Sequence, residues 1–230
     1  MATPRPVSVT SAEKTDDVEW QEVPVSVRAA VDRALSRQQR DALGEVELIL
    51  DAALRVAERV SPAEPKVADI VAEAGTSNQT FYRYFAGKPD LMLAVVERGL
   101  VRVAGYLDHQ MSKHTDPVEQ VVAWVDGLLT QLVRPDAARQ GSAVMQQLAT
   151  TGRMREPAGL ALLDRLGALL VAPVTALGRP EPARDAQVLQ ETLMGVLQRH
   201  VVNGTAPDEP ERAHLVAFCV RAVDATRGAR

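Results

Sequence analysis

The sequence contains few cysteines and histidines, the residues that form disulfides and many metal sites. A single cysteine, Cys219, excludes an intrachain disulfide and any site built from several cysteines. It lies in an apolar segment, residues 216–220, so we expect a small buried side chain and a reducing compartment. The four histidines include no pair at the i, i+4 spacing of a helical metal site. We therefore predict neither a metal ion nor a cofactor.

Long apolar runs and an excess of positive charge are also missing, and aromatic side chains are few. No run of about 18 apolar residues is present, which excludes a membrane-spanning helix. The polar N-terminus lacks the apolar core of a signal peptide, and this indicates a cytoplasmic protein. Because the formal net charge is −4, any nucleic-acid footprint must be local. With 3% aromatic residues, the core must be built mainly from aliphatic side chains.

What is present is a succession of helical patterns. Residues 1–23 are polar and rich in Pro, Ser and Thr, and we interpret them as a disordered tail. Residues 24–43 carry an apolar stripe at helical spacing, before a weak interruption at Gly44. A unit of short helices follows over residues 44–92, and residues 93–227 contain longer helical segments, one of them at about residues 141–154. Because no strand-like alternation persists, the sequence predicts an all-α fold.

The most informative segment is residues 66–88. Apolar side chains recur there at i, i+3, i+4 and i+7, namely at Val67, Ile70, Val71 and Ala74. Gly75 can adopt the left-handed backbone of a tight turn, and Ser77 can cap a second helix. Phe81 and Phe85 share the inner face of that second helix. Two short helices joined by a glycine turn predict a helix-turn-helix.

The outward face of the second helix carries hydrogen-bonding side chains. With both phenylalanines buried, Gln79 and Arg83 point most directly away from the core. Thr80 and Tyr82 flank them, and Asn78 lies in the first turn. Asn and Gln can pair with adenine, and Arg can pair with guanine or a phosphate. This chemistry is typical of a recognition helix in the major groove.

The next helix begins at residues 87–90, where Lys88 and Pro89 stand at its first positions. Proline at the start of a helix leaves the neighbouring amides free to meet a phosphate, and Lys88 adds a cation there. Asp90 would weaken the attraction for an anion slightly.

This whole stretch resembles the N-terminal region of the TetR family of bacterial transcriptional regulators, over about residues 45–100. The matching residues are Ala74, Gly75, Ser77, Thr80, Phe81, Tyr82, Phe85 and Lys88. Residues 49–54 and 91–96 resemble the first and fourth helices of the family. Tyr84 stands where the family usually has His, and Thr76 where it usually has Val. Ala57, Ser61 and the pair at residues 65–66 also depart from the usual pattern.

The resemblance implies roles for individual residues. It places Thr80, Tyr82, Tyr84 and Lys88 at the DNA backbone, and it places Ser77, Asn78 and Gln79 near base edges. The full set of predicted DNA-binding residues is Lys66, Ser77, Asn78, Gln79, Thr80, Tyr82, Arg83, Tyr84 and Lys88.

Ordinary structural explanations remain open for these residues. Residues 66–105 contain five basic and four acidic residues, so sequence-independent DNA affinity should be modest. Four arginines precede the motif, at Arg28, Arg33, Arg37 and Arg40. They could contact phosphates or form a solvated helix face.

The C-terminal part is expected to form a homodimer, because helix-turn-helix proteins usually bind two-fold symmetric sites. We therefore predict a pseudo-palindromic double-stranded operator. The helices at about residues 181–202 and 207–226 are the dimer candidates. Two faces of the first are available, one around Leu193 and one around Val188 and Gly195, while Phe218 lies on the second. The sequence leaves open which face meets the partner subunit.

The resemblance also implies an all-helical ligand-binding and dimerisation domain over residues 93–227. Candidate ligand-binding residues are Trp124, Leu128, Met145, Met154, Leu166, Met194 and Gln198, although each alone fits a plain core position. The implied function is a non-enzymatic repressor that a small, largely apolar ligand releases from its operator, with activation left open. The alternative is a helical small-molecule-binding or protein-adaptor domain that does not bind DNA.

Overall fold

The computed structural model describes residues 23–61, 63–133 and 157–224. Within these ranges the chain forms helices and no strand, which confirms the all-α prediction. We label the helices α1 (Val25–Val60), α2 (Val67–Glu73), α3 (Asn78–Tyr84), α4 (Lys88–Met111), α5 (Pro117–Val133), α6 (Pro157–Ala176), α7 (Pro182–Asn203) and α8 (Glu209–Val223). Residues 1–22 and the helix expected at about 141–154, with Met145 and Met154, lie outside the described residues.

Helix α1 corrects one expectation, because it runs through Gly44 without a break. A glycine in the middle of a helix costs only about 1 kcal/mol relative to alanine, and the other residues of a long helix easily offset that cost. By its internal contacts the chain divides within this helix, between residues 45 and 46. Among residues 23–45 no side chain is buried, and Val27 and Leu35 of the predicted apolar stripe are about half exposed.

The part of the chain from residue 46 onwards contains two clusters of buried side chains. The first cluster is formed by the end of α1, by α2 and α3, and by the start of α4. Its members are Ile49, Leu50, Ala52, Ala53, Val56, Ala57, Ile70, Val71, Phe81, Phe85, Leu91, Met92, Val95 and Val96. The second cluster joins the end of α4 to α5, α6, α7 and α8. Its members include Leu107, Met111, Trp124, Leu129, Leu166, Leu170, Leu189, Leu193, Leu215 and Cys219.

Two polar side chains stabilise the second cluster by bonding to backbone carbonyls of α6. The indole Nε1 of Trp124, on α5, donates to the carbonyl oxygen of Leu166 at 3.0 Å. The amide Nε2 of Gln190, on α7, donates to the carbonyl oxygen of Leu163 at 2.7 Å. Gly167 makes room for that amide, because a Cβ atom at this position would lie 2.0 Å from Oε1 of Gln190. Both polar groups are buried and therefore need such partners.

The ends of several helices follow from local sequence. Asp208 caps α8, because its carboxylate accepts the backbone N–H of Glu211 at 2.9 Å. Gly204 ends α7 in the left-handed conformation at φ 62°, which glycine adopts at little cost. None of the helices in the described ranges is long and apolar enough to cross a membrane.

Candidate nucleic-acid interface

The turn between α2 and α3 has the geometry that its glycine allows. Gly75 adopts φ 64°, and its N–H donates to the carbonyl of Ala72 at 3.2 Å. The N–H of Thr76 donates to the carbonyl of Val71 at 3.1 Å. These two bonds form a Schellman motif, which satisfies carbonyls that the end of α2 would otherwise leave unpaired. The predicted glycine turn is confirmed.

Helix α3 begins at the predicted cap. The Oγ of Ser77 accepts the backbone N–H of Thr80 at 3.0 Å, and it also lies 3.0 Å from the Thr80 hydroxyl. Phe81 is completely buried and Phe85 is nearly so, with their ring centroids 5.8 Å apart. The cap fixes where α3 starts, and the two rings fix its rotation about its own axis.

This rotation leaves a polar face in solvent. Asn78, Gln79, Tyr82 and Arg83 are exposed, and the Tyr82 side chain is 61% exposed. Thr80 is partly buried, and its N–H and hydroxyl both contact Oγ of the Ser77 cap. Four hydrogen-bonding side chains therefore project from less than two full turns of helix, as a recognition surface requires.

Tyr84 differs from Tyr82 in its surroundings. Its ring is half-buried and packs against the first cluster. The guanidinium carbon of Arg83 lies 4.8 Å from the centroid of this ring, within the range of a cation–π contact. Tyr84 therefore holds the Arg83 side chain close to α3, which limits the directions in which that cation can reach.

Positive charge beside α3 is partly masked by an acidic side chain. The ammonium of Lys88, the first residue of α4, forms an ion pair with the carboxylate of Glu64 in the loop between α1 and α2. The Oδ2 of Asp90 accepts the backbone N–H of Ala86 at 3.0 Å, so this carboxylate orders the turn before α4. Lys66, also predicted at the interface, is exposed and makes no capping hydrogen bond through its side chain.

Two groups of ion pairs link α1 to its neighbours, one to α2 and the other to α4. Glu73, the last residue of α2, receives Arg55 and Arg59 of α1, each at 2.9 Å. Hydrogen bonds from Arg59 and then Arg55 hold the pKa of the Glu73 carboxyl below its usual value. On α4, the Arg98 side chain is 12% exposed and contacts Glu47 at 2.6 Å and Asp51 at 2.8 Å.

Sequence reasoning identified neither these ion pairs nor the partner of Lys88. Glu64 and Lys88 are 24 positions apart, and Glu47 and Arg98 are 51 apart. Only the fold brings them together. The short-range i, i+3 and i, i+4 rules that predict charge pairs along one helix therefore could not find them.

The predicted ligand-binding residues fall in different environments. Trp124, Leu128 and Leu166 are buried in the second cluster, Met194 is partly buried against it, and Gln198 is exposed. An open groove of about 1130 Å³ lies instead between α5 and α8, lined in part by Val122, Val216, Asp126 and Arg212. The last two contact each other at 3.3 Å. A smaller groove of about 470 Å³ lies between α4 and α5. The residues that line these grooves are not the ones that the sequence suggested.

Within one chain, α7 and α8 each have a buried face and an exposed face. On α7, Leu189, Leu193 and Leu197 are buried, whereas Val188 is 55% exposed and Gly195 is exposed with open space around it. On α8, Leu215 and Cys219 are buried and Phe218 is 47% exposed. Val188, Gly195 and Phe218 define what we call the outer face of these two helices. Val188 and Phe218 are among several large apolar side chains of the described residues that are about half exposed.

No group of three or more His, Cys, Asp or Glu side chains in the part of the chain that the structure describes is arranged to hold a metal ion. Burial raises the pKa of the Cys219 thiol to about 11, so the reactive thiolate is scarce at neutral pH.

Comparison with known proteins relates this geometry to one family. Residues 49–95 match the sequence model described as bacterial regulatory proteins, tetR family. Comparison with curated proteins gave no match.

Several solved structures share the fold. A TetR transcriptional regulator from Rhodococcus sp. RHA1 is 19% identical, with a TM-score of 0.61 over 82% of this chain and 98% of that chain. A TetR family transcription regulator from Marinobacter aquaeolei VT8 is 20% identical, with a TM-score of 0.56 over 81% and 98%. The fatty acid degradation regulator FadR from Bacillus halodurans is 21% identical, with a TM-score of 0.53 over 80% and 99%.

Proposed function

The chain carries the N-terminal domain of the TetR family of bacterial regulatory proteins within an all-helical TetR-like fold, and from this premise we propose that it is a DNA-binding transcriptional regulator. The observation that carries the proposal is the polar face of α3, held outward by the Ser77 cap and the buried pair Phe81 and Phe85. An α-helix with its side chains is about 10–12 Å across, which fits a major groove about 12 Å wide.

On this face Asn78 and Gln79 take the role of base readers. Both are exposed and lie in the first turn of α3, the end of a recognition helix that comes nearest to the bases. Thr80, Tyr82, Tyr84 and Lys88 position the helix on the phosphate backbone, and Lys66 and Arg83 add cations at the edges of the surface. Ser77 acts mainly by fixing the start of the helix.

The regulator acts as a homodimer on a pseudo-palindromic operator. A single helix-turn-helix makes few contacts, and a second copy one helical turn away supplies the second half-site. The outer face formed by Val188, Gly195 and Phe218 supports this assembly, because it offers apolar area that no other described residue covers. An exposed glycine allows a partner helix to approach closely.

Binding of a small, largely apolar effector to the C-terminal helices releases the protein from its operator, so the regulator acts as a repressor. The effector can shift the equilibrium only by its difference in affinity between the DNA-bound and free states. We propose the open groove between α5 and α8 as the candidate site, where valine side chains adjoin the charged pair of Asp126 and Arg212.

The test begins with selection of an operator from random DNA by the full-length protein. We then expect Gln79→Ala and Asn78→Ala each to weaken operator binding by about 1–3 kcal/mol, because each removes a pairing with a base edge. Non-specific affinity and thermal stability should stay unchanged. Anisotropy titrations with labelled duplexes measure both affinities.

Asn203→Ala is the matched control, since Asn203 is exposed at the far end of α7. Operator affinity that is unchanged in both α3 variants would show that α3 does not read bases. Absence of any binding to duplex DNA, even at low salt, would favour a helical ligand-binding or adaptor protein.

A further inference from the structure

The ion pair between Glu64 and Lys88 places an acidic side chain on the proposed DNA surface. We propose that Glu64 competes with a DNA phosphate for Lys88, and so lowers the affinity of the protein for all duplex DNA. This inference rests on the proposed function, because Lys88 is the residue that would meet the DNA backbone.

Within this ion pair, the Glu64 side chain is more exposed to solvent than the Lys88 side chain. The Glu64 side chain is 58% exposed, whereas that of Lys88 is 25% exposed. Glu64 precedes Pro65, whose side chain is buried, and α2 begins two residues later. The loop is therefore anchored beside Glu64, which keeps the carboxylate near the start of α4.

A phosphate approaching the start of α4 meets a neutralised pair in place of a free cation. Lys88 can turn towards the phosphate only by giving up Glu64 or by sharing its donors between two anions. If they share, the carboxylate and the phosphate repel each other. Asp90 is not an equivalent competitor, because its carboxylate accepts the N–H of Ala86.

Removing the charge of Glu64 should therefore strengthen DNA binding through Lys88. We expect Glu64→Gln to tighten binding of a random-sequence duplex about two- to fivefold at low salt, the range that the strength of exposed ion pairs allows. The gain should shrink as salt rises, because exposed charges are screened. Binding of the selected operator should tighten by a similar factor.

The decisive measurement is a double-mutant cycle with Lys88→Gln. If Glu64 acts by occupying Lys88, Glu64→Gln should have no effect on affinity once Lys88 is gone. Glu97→Gln is the charge-matched control, since Glu97 is an exposed acidic residue of α4 and the change in net charge is the same. Its effect should stay below 1.5-fold, a limit of about the measurement error. Melting temperatures of all variants check that the fold is intact.

Three results would overturn the proposal. One is an unchanged affinity in Glu64→Gln. Another is a gain that persists in the Lys88→Gln background, which would mean that Glu64 acts by general repulsion. The third is an equal gain in Glu97→Gln. These results concern Glu64 alone, provided that the wild-type protein binds duplex DNA. A wild-type protein that fails to bind any duplex at low salt would refute the proposed function, and this inference with it.

Discussion

Replacing Gly167 with alanine tests the contact that holds α6 against α7. A Cβ atom at this position would lie 2.0 Å from Oε1 of Gln190 and 3.1 Å from its Cδ. The Gln190 side chain is buried and donates to the carbonyl of Leu163 at 2.7 Å. The added methyl group forces the amide to move, and because the side chain is buried we expect this movement to break the hydrogen bond.

The magnitude follows from three effects. Leaving a buried amide unpaired costs about 1–3 kcal/mol, and overfilling a packed core costs about 1–3 kcal/mol. Alanine in place of glycine within a helix stabilises that helix by about 1 kcal/mol. We expect Gly167→Ala to lower the free energy of unfolding by about 1–5 kcal/mol. Urea denaturation at one fixed protein concentration measures this change, since dimerisation would make stability depend on concentration.

Two variants separate the steric effect from helix propensity. Gly105, on the exposed side of α4, has no atom within 4 Å of where its Cβ would lie, so Gly105→Ala should stabilise the protein by about 0.5–1 kcal/mol. In a Gln190→Ala background, Gly167→Ala should also become neutral or stabilising, because the amide that it displaces is gone. A Gly167→Ala protein as stable as wild type would refute this account of the α6–α7 contact.

The other predictions concern assembly and the single thiol. Phe218→Asp should weaken dimerisation by at least about 2 kcal/mol and weaken operator binding with it. Val101→Asp, the control at a similarly exposed apolar residue of α4, should change neither. Sedimentation and DNA titration on the same samples measure both effects, and an unchanged dimer in Phe218→Asp would rule out this face as the interface. Burial raises the pKa of the Cys219 thiol from 9.0 to about 11, so its contribution to stability is complete below pH 9 and is lost as pH rises towards 11. Denaturation across this range should show wild type losing up to about 2–3 kcal/mol relative to Cys219→Ala, and parallel pH profiles of the two proteins would contradict the burial effect.

Local rules were enough to predict the helix-turn-helix from sequence. Gly75, Ser77, Phe81 and Phe85 each act within a few residues of their own positions, through a turn, a cap or a shared helix face. The patterns around them therefore contain most of the information that the structure uses. Gly44 shows the limit of such rules, because its local penalty predicts a weak interruption where the helix in fact continues.

Contacts across long sequence separations could not be predicted in this way. The fit of Gln190 against Gly167 depends on how α6 and α7 pack, and nothing in either segment alone indicates it. The same holds for α8, where Leu215 and Phe218 are both apolar and only the packed structure separates the buried side chain from the exposed one. Trp124 is buried in the second cluster, and its hydrogen bond to the carbonyl of Leu166 is another contact that composition alone does not indicate.

Helix α4 connects the two clusters of buried side chains. It contributes Leu91 and Met92 to the first cluster and Leu107 and Met111 to the second, without a break between them. Its 24 residues make a rod about 36 Å long. A tilt of about 5° about its far end displaces Lys88 by about 3 Å, close to the 3.4 Å rise of one DNA base pair. Because α4 is continuous between the two clusters, a tilt of that size at its far end would move Lys88 by about the spacing of one base pair.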